Sequence, residues 1–482
     1  MTDRAYASVM ARRGEILKNA TGISYEDFEG GGLAFDYDGM MRSVGYDLPS
    51  AIAIQRDAGV GRTPLLELRR LTALARTVAP AGFGARIFVK DEAANPSGSF
   101  KDRRAALAVH EAAKRGYAGV VAATSGNYGA AVASQAAARG LKCIVVQEVF
   151  DSRGVGQPEI VEKGRKCEAY GAEVLQVTVG PELFYLLLAV LEETSFFSAS
   201  LYTPYAVAGI ATLGYEIGVE AKQLFGRAPD AVVVTHAGGG NLTGTAVGLR
   251  AAGCAETTVV AASVDLRGLH MASDRDFNRK SFTTGHTGFG VPFATNPDRV
   301  DVPRNAARPL RFMDRYLLVT QGEAFYMTEL LARLQGMERG PAGNTSLAAA
   351  FALAQEMRED QIVIVQETEY TGAGKHPNAQ LAFAREQGIV VSRGDPADER
   401  PGTSIVIPDH PSRIRPRDLD LDDLRRSYLR GLASRGGAGP LADSRSLRTE
   451  DAAYLSAETR WTDERVRREW DALVAAAPAA KR

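Results

Sequence analysis

From residue 85 onward, short apolar runs alternate with longer segments in which apolar residues recur every three or four positions. The short runs predict strands: "ARIFVKDE", "GVVAATS", "KCIVVQEV", "EVLQVTV", "DAVVVTHA", "TTVVAASVD" and "QIVIVQETE". The longer segments predict helices: "SFKDRRAALAVHEAAKRG", "NYGAAVASQAAARG", "QPEIVEKGRKCEAYGA", "PELFYLLLAVLEETS", "YAVAGIATLGYEIGVEAKQLFG", "NLTGTAVGLRAAG" and "NTSLAAAFALAQEM". Apolar strands that alternate with helices are typical of parallel sheets covered on both faces. We therefore predict an α/β protein.

The two ends of the chain have a different character. Residues 1–60 are polar and mixed, with the glycine run "EGGGLAF", and predict an N-terminal extension packed on the core. Residues 401–482 are rich in charge, Pro and Gly and predict a C-terminal extension with one amphipathic helix over 419–433. We assign no regular structure to the last ten residues, because a terminal tail rich in Ala and charge is often disordered.

The composition narrows the class of protein. Hydrophobic residues make up 45% of the 482, charged residues 24%, and the formal net charge is −1. This balance argues against binding to nucleic acid or a membrane surface, which usually leaves a basic patch. Three scattered cysteines suit neither a disulfide framework nor a metal site. The chain has no signal-like N-terminal segment and no apolar run long enough to span a bilayer, so we predict a cytoplasmic protein.

The stretch "NPSGSFKDRR" places Lys101 on a tight turn between a predicted strand and a predicted helix. A lysine in the first helical turn is disfavoured by the helix dipole, and the dipole together with burial lowers the pKa of its amine. A low pKa suits an amine that must act as a nucleophile and form a Schiff base. The ordinary alternative is a solvated lysine beside Asp102.

Three further strand-to-helix junctions carry candidate binding groups. In "AATSGNYGAA", Thr124, Ser125 and Asn127 offer side-chain donors beside Gly126 and Tyr128, and a substrate carboxylate would fit there. In "THAGGGNLTG", the consecutive glycines offer free backbone N–H groups, which favour a phosphate. In "QETEYTGAGKH", hydroxyls are held on a glycine-rich loop. Capped helix starts and flexible turns are the ordinary alternatives. The consecutive glycines are Gly238, Gly239 and Gly240, and Asn241 follows them.

A lysine nucleophile, a phosphate cradle, a carboxylate site and a hydroxyl-lined loop together describe pyridoxal phosphate bound to an amino acid. With these motifs in this order, the chain resembles the fold-type II pyridoxal-phosphate enzymes over residues 58–385. The resemblance implies that Lys101 carries the Schiff base and that Asn127 contacts the phenolate oxygen of the cofactor. It further implies that Gly238 to Asn241 hold the phosphate and that Thr371 meets the pyridine nitrogen.

The resemblance also implies the architecture. It predicts two open, twisted, mostly parallel sheets with helices on both faces and the cofactor between two domains. We place the large cofactor-binding domain at 61–110 and 205–400, and the small α/β domain at 111–204. We predict no metal site.

Within this family the chain more closely resembles the β subunits of 2-amino-4-ketopentanoate thiolases, through "GISYEDFEGGGLAFDYDGMM", "GLHMASD" and "KSFTTGHTGFGVPFAT". This implies the interconversion of 2-amino-4-oxopentanoate and coenzyme A with acetyl-coenzyme A and D-alanine, as in ornithine degradation. It also implies a small α subunit as partner, beside a homodimer of this chain. His286 and His376, both in glycine-rich loops, are candidate acids and bases. The motifs also allow a threonine-synthase-like replacement or elimination, and a non-catalytic scaffold subunit is a third reading.

Overall fold

The N-terminal part of the chain is helical. The computed structural model describes residues 3–180, 182–266, 282, 304–370, 377–435 and 447–476. Four helices lie in the predicted extension: α1 (Tyr6–Ala11), α2 (Arg13–Thr21), α3 (Tyr37–Ser43) and α4 (Leu48–Asp57). The first two pack near α9 (Glu182–Thr194), and α4 packs on α6 (Lys101–Lys114) and α10 (Pro204–Phe225). These helices therefore contact elements of both halves of the core, while the extension's bounds at residues 1–60 stay a prediction.

A six-stranded sheet forms the larger half. Its strands are β1 (Leu65–Glu67), β2 (Arg86–Asp91), β7 (Ala231–Thr235), β8 (Thr258–Val264), β9 (Arg315–Val319) and β10 (Ile362–Glu367). They lie in the order β1-β2-β10-β7-β8-β9, and all neighbours are parallel except β1 and β2. Alternate residues of β7 and β10 enter two different hydrophobic clusters, one on each face. Burial on both faces explains why these strands are uniformly apolar in the sequence.

A four-stranded sheet forms the smaller half. Its strands are β3 (Gly119–Thr124), β4 (Lys142–Phe150), β5 (Glu173–Thr178) and β6 (Phe197–Ser198), in the parallel order β5-β4-β3-β6. The helices α7 (Asn127–Ala138) and α8 (Pro158–Ala169) pack against these strands, as does α9. The predicted α/β class with two mostly parallel sheets is confirmed. The residue bounds of the two domains stay a prediction.

The remaining elements complete the covering of the large sheet and form the C-terminal extension. They are α5 (Arg69–Val78), α11 (Gly240–Ala251), α12 (Gln321–Gln335), α13 (Asn344–Ala354), α14 (Pro377–Glu386), α15 (Leu421–Arg435), α16 (Thr449–Thr459) and α17 (Asp463–Ala476), with a two-stranded parallel sheet of β11 (Val390–Gly394) and β12 (Ser404–Pro408). The helix predicted over 419–433 is α15. Helix α17 continues to Ala476, so the first residues of the tail left without regular structure are helical, and 477–482 lie outside the described residues. Among the helices that the structure describes, none is long and apolar enough to cross a membrane.

The C-terminal extension is fixed to the N-terminal one. Asp451 of α16 accepts hydrogen bonds from the backbone N–H groups of Leu33 and Ala34, at 2.8 and 2.9 Å. Its other oxygen pairs with Arg448 at 2.9 Å. The Asp451 carboxylate thus binds the end of the glycine run, which joins two segments more than 400 positions apart along the chain.

Candidate active site

The turn that presents Lys101 is fixed against the end of β10. Phe100 N donates to the Thr368 carbonyl at 3.1 Å, and Tyr370 N donates to the Gly98 carbonyl at 2.8 Å. Gly98 has φ +79°, and a Cβ there would lie 2.2 Å from the Tyr370 carbonyl oxygen. Only glycine tolerates that conformation at so close an approach. The turn therefore attaches the start of α6 to the carboxyl edge of the large sheet, where parallel α/β sheets bind ligands.

Asp102 closes the same turn. Its Oδ2 accepts hydrogen bonds from Ser97 N and Ser97 Oγ, both at 2.7 Å. The side chain is buried, and burial raises its pKa to about 6 against the opposing effect of these hydrogen bonds. Asp102 is therefore a residue that shapes the lysine turn, and the charge beside Lys101 in the sequence does not point to solvent.

The amine of Lys101 lies in an environment that disfavours its charge. Burial by the surrounding protein lowers its pKa well below the usual value, and the positive charges of Arg104 and Lys163 lower it further. The carboxylate of Glu369 acts in the opposite direction but does not compensate. The Nζ atom is 4.5 Å from the centroid of the Phe100 ring. A neutral amine is the form that adds to a carbonyl, so the environment suits the predicted Schiff-base role.

The loop before α7 is built around Thr124. The Oγ1 of Thr124 accepts hydrogen bonds from Gly126 N at 2.8 Å and Gly129 N at 3.2 Å, so this hydroxyl shapes the loop from within. Asn127 Nδ2 donates to Glu369 Oε2 at 3.2 Å, which joins the loop to the end of β10. Ser125 and Asn127 are half-buried. The roles of these residues in binding substrate stay a prediction.

The glycine loop before α11 is packed too closely for side chains. A Cβ on Gly238 would meet the Tyr202 hydroxyl, and one on Gly239 would lie 2.5 Å from Pro309 Cγ. Gly239 also has φ +84°, which disfavours other residues. A Cβ on Gly240 would lie 2.5 Å from a terminal nitrogen of Arg104. The loop thus leads into the N-terminal end of α11 without side chains that would cover it, and the free backbone N–H groups at that end are suited to an anion.

Several buried polar atoms at these loops have no hydrogen-bond partner within the part of the chain that the structure describes. They are Asn127 Oδ1, the Tyr128 hydroxyl, both amide atoms of Asn241 and Arg104 Nε. Native proteins leave few buried polar groups unsatisfied, and each one needs an explanation. A ligand that carries a phosphate and further polar atoms explains the set. The residues present therefore fit pyridoxal phosphate.

Three predicted site residues lie outside the described residues: Thr371, His286 and His376. Their roles toward the pyridine nitrogen and in proton transfer stay a prediction. Tyr370 is the last described residue before the Thr371 loop, and it is half-buried. Among the described residues, no group of three or more His, Cys, Asp or Glu side chains could hold a metal ion.

Sequence reasoning missed Glu369, Arg104 and Lys163, which all act on the charge of Lys101. Arg104 could have been found, because three positions along a helix return to the same face. Glu369 also had a signal, since it stands in "QETE" directly after a buried strand. Lys163 had none, because only the folding of α8 onto the loop brings its side chain against Gly126.

The proteins similar to this chain indicate its family and its fold. Residues 57–367 match the family described as pyridoxal-phosphate dependent enzyme. A 2-amino-4-ketopentanoate thiolase beta subunit from Acetoanaerobium sticklandii is 62% identical over 458 residues, which cover 95% of this chain and 96% of that protein. Another, from an unknown prokaryotic organism, is 61% identical over the same shares. The crystal structure of a T.th. threonine deaminase matches with a TM-score of 0.51 at 25% identity, covering 67% of this chain and 96% of that one.

The match over most of the core confirms the predicted fold type and the predicted cofactor. The two thiolase relatives confirm the closer resemblance, which was expected over about residues 5–400, and they match 95% of this chain. This chain therefore belongs to the pyridoxal-phosphate dependent enzymes and, within them, groups with the β subunits of 2-amino-4-ketopentanoate thiolase.

Proposed function

We propose that this chain catalyses the thiolytic cleavage of 2-amino-4-oxopentanoate by coenzyme A to acetyl-coenzyme A and D-alanine, together with the reverse condensation. The observation that carries the proposal is the Lys101 amine, whose pKa burial lowers well below its usual value, in a chain 62% identical to a thiolase β subunit over 95% of its length. The reaction balances without a further reagent. The thiolate adds to the C4 carbonyl, the C3–C4 bond breaks, and a proton takes the place of the acetyl group on C3.

The residues of the chain divide the binding work. The backbone of Gly238 to Asn241 would hold the phosphate of the cofactor, and Asn127 would meet a polar atom of its ring. The loop of residues 124–128 is suited to the carboxylate of the amino acid, since it starts a helix and offers backbone N–H groups. When bound, pyridoxal phosphate withdraws electrons from the amino-acid carbons attached to it.

Lys101 and the groups around it would carry out the proton transfers. Burial lowers the pKa of Lys101, which favours the form of Nζ that accepts a proton, and its place on a fixed turn suits it to act at the α-carbon. A second proton carrier is needed at C3. Glu369 lies near both Lys101 and Asn127, so we assign it as a further candidate beside His286 and His376.

We also propose that the chain works with a small α subunit, because the relatives that it matches over almost their whole length are named β subunits. The α subunit should be required for the full reaction with coenzyme A. Binding of the cofactor should not require it, since the described cofactor groups come from this chain.

The cofactor test uses Lys101→Ala with Lys114→Ala as a matched control. Lys114 lies in the same helix with its side chain 62% exposed. We expect Lys101→Ala to lose the visible absorbance of the Schiff base and its trapping by borohydride, and Lys114→Ala to keep both. A Lys101→Ala protein that still shows a reducible Schiff base would contradict the assignment.

The reaction test incubates the wild-type chain and its α subunit with acetyl-coenzyme A and D-alanine and measures 2-amino-4-oxopentanoate. O-phosphohomoserine and diaminopropionate are supplied in parallel, and release of phosphate or ammonia is followed. Aminoketone formation supports the proposal. Release of phosphate or ammonia without aminoketone would favour a replacement or elimination enzyme instead. A cofactor-loaded protein inactive on all three would favour a scaffold role.

A further inference from the structure

Two adjacent arginines at the start of α6 are almost completely buried. Arg103 and Arg104 are each about 1% exposed. Taking a guanidinium out of water is costly, and proteins normally compensate for the cost with a carboxylate and with hydrogen bonds. The two side chains therefore each require a counter-charge.

Arg103 has its counter-charges within the protein. Its Nε donates to Glu92 Oε2 at 2.7 Å, and its Nη1 donates to Glu216 Oε2 at 3.0 Å. Burial would lower the pKa of Arg103, but these two carboxylates outweigh burial and raise it. The burial of Arg103 is therefore explained by the fold alone.

Within the described part of the chain, Arg104 has no such partner. Its hydrogen bond goes to the Leu201 carbonyl oxygen, and its guanidinium lies 5.5 Å from the centroid of the Tyr202 ring. Among the described residues no carboxylate pairs with it, and Nε has no hydrogen-bond partner. Burial lowers its pKa. Arg104 is thus a buried cation that the described protein leaves without a counter-ion.

The position of Arg104 indicates which anion it serves. It follows Lys101 by three residues, so both side chains leave the same face of α6. Its guanidinium lies against Gly240, the first residue of α11, where a Cβ would come within 2.5 Å of the terminal nitrogen. The unpartnered amide of Asn241 lies at the same helix start. The guanidinium therefore adds a full positive charge to a loop that otherwise offers only backbone and amide dipoles.

We propose that Arg104 is the counter-charge for the phosphate of the cofactor, so that the phosphate site of this chain consists of the glycine loop and a buried guanidinium. A phosphate monoester carries close to two negative charges at neutral pH, and arginine suits it because its planar fork can donate two hydrogen bonds. The site then discriminates pyridoxal phosphate from pyridoxal mainly through Arg104. This inference concerns cofactor binding and stands apart from the thiolase reaction.

The test compares how tightly apoprotein binds pyridoxal phosphate and pyridoxal, measured by Schiff-base absorbance in wild type, Arg104→Met, Arg104→Lys and Arg358→Met. Arg358 is a surface control, with its side chain 75% exposed. We expect Arg104→Met to weaken the binding of pyridoxal phosphate about tenfold to a hundredfold, as for the loss of a charged hydrogen-bond partner. Pyridoxal affinity should stay within about twofold, because pyridoxal has no phosphate to contact Arg104. Arg104→Lys should fall between wild type and Arg104→Met, and Arg358→Met should match wild type.

Inorganic phosphate provides a second readout that does not depend on the Schiff base. It should raise the thermal midpoint of wild-type apoprotein and compete with pyridoxal phosphate, and both effects should be weaker in Arg104→Lys. If Arg104→Met does not fold, the comparison of Arg104→Lys with wild type decides. The proposal would be overturned if the Arg104 variants lost affinity for pyridoxal phosphate and pyridoxal equally, or if the ratio of the two affinities did not change. A loss of amino-acid affinity with pyridoxal phosphate binding intact would also overturn it, and would assign Arg104 to the substrate carboxylate.

Discussion

Glu216 of α10 connects the start of α6 to the large sheet, and its removal should destabilise the protein measurably. Its carboxylate accepts hydrogen bonds from Lys90 Nζ at 2.6 Å and Arg103 Nη1 at 3.0 Å. It also accepts from the backbone N–H groups of Arg62 at 3.1 Å and Thr63 at 3.0 Å. Glu216→Gln keeps the shape of the side chain and removes its negative charge. The substitution therefore tests the charge of the network without opening a cavity.

The pKa of Glu216 gives the size of the effect. Burial would raise that pKa, but the charges of Arg103 and Lys90 outweigh burial and lower it from 4.5 to about 2. Each unit corresponds to about 1.4 kcal/mol, so the ionised form contributes ~3 kcal/mol to the free energy of unfolding at pH 7. The side chain is 19% exposed, so screening by solvent removes only part of this.

The assay is urea unfolding of the cofactor-loaded protein from pH 7 to pH 3, with Glu256→Gln as the control. Glu256 is exposed. Because the pKa of Glu216 is lower in the folded than in the unfolded protein, its carboxylate stabilises the fold fully above the unfolded pKa. This stabilisation is lost as the pH falls toward 2. The deficit of Glu216→Gln should therefore be ~3 kcal/mol at pH 7 and shrink toward ~1 kcal/mol at pH 3. A deficit below ~1 kcal/mol at pH 7, or one that does not change with pH, would refute the reasoning.

Three further outcomes follow from the site. Gly239→Ala should weaken the binding of pyridoxal phosphate at least about tenfold, because φ is +84° and the new Cβ would lie 2.5 Å from Pro309 Cγ. The control Gly226→Ala, with φ +70° and open space around it, should bind pyridoxal phosphate normally and lose about 1 kcal/mol of unfolding free energy. Tyr128→Phe should change stability by less than about 1 kcal/mol while the KM for the amino acid rises; a larger stability loss would contradict a hydroxyl left for the ligand. Burial raises the pKa of Asp102 to about 6. Its contribution to the free energy of unfolding is therefore complete below its unfolded pKa of about 3.9 and is lost as the pH rises through about 6. The urea midpoint of Asp102→Asn should therefore rise relative to that of wild type as the pH increases from 4 to 7. A difference between the two midpoints that does not change with pH would contradict this.

The core strands and their helices were predictable because their signals are local. In β7 and β10 every residue is buried, so the apolar runs stand out without any knowledge of their neighbours. The small β11–β12 sheet was missed because its signal is weak: Val390 is 62% exposed, and the strand it begins is half polar. Helices α16 and α17 were missed because their apolar residues contact the N-terminal extension and the core, which the local sequence does not encode.

The same distinction applies to the site. The Lys101 turn and the glycine loop were found from residue types that a strand-to-helix junction restricts. The hydrogen bond from Asn127 to Glu369 spans 242 positions and depends on how the two sheets face each other. The contact of Arg104 with Gly240 depends in the same way on α6 meeting α11. Sequence reasoning can propose such groups, but only the fold shows which anion or cation each one meets.

The four residues "KDRR" at the start of α6 explain why this helix can join so many parts of the site. Successive residues of a helix point about 100° apart, so Asp102 and Arg103 point to other sides of α6 than the face that Lys101 and Arg104 share. Lys101 faces the site, Asp102 binds the turn at Ser97, Arg103 binds the network of Glu92 and Glu216, and Arg104 lies on the glycine loop. Because these side chains leave one rigid turn, the contacts that fix Asp102 and Arg103 also fix where Lys101 and Arg104 lie. An anion held between Arg104 and the start of α11 would in turn hold the Lys101 amine at a set distance from that anion. Such an arrangement would suit the proposed binding of a cofactor with a phosphate at one end and an aldehyde at the other.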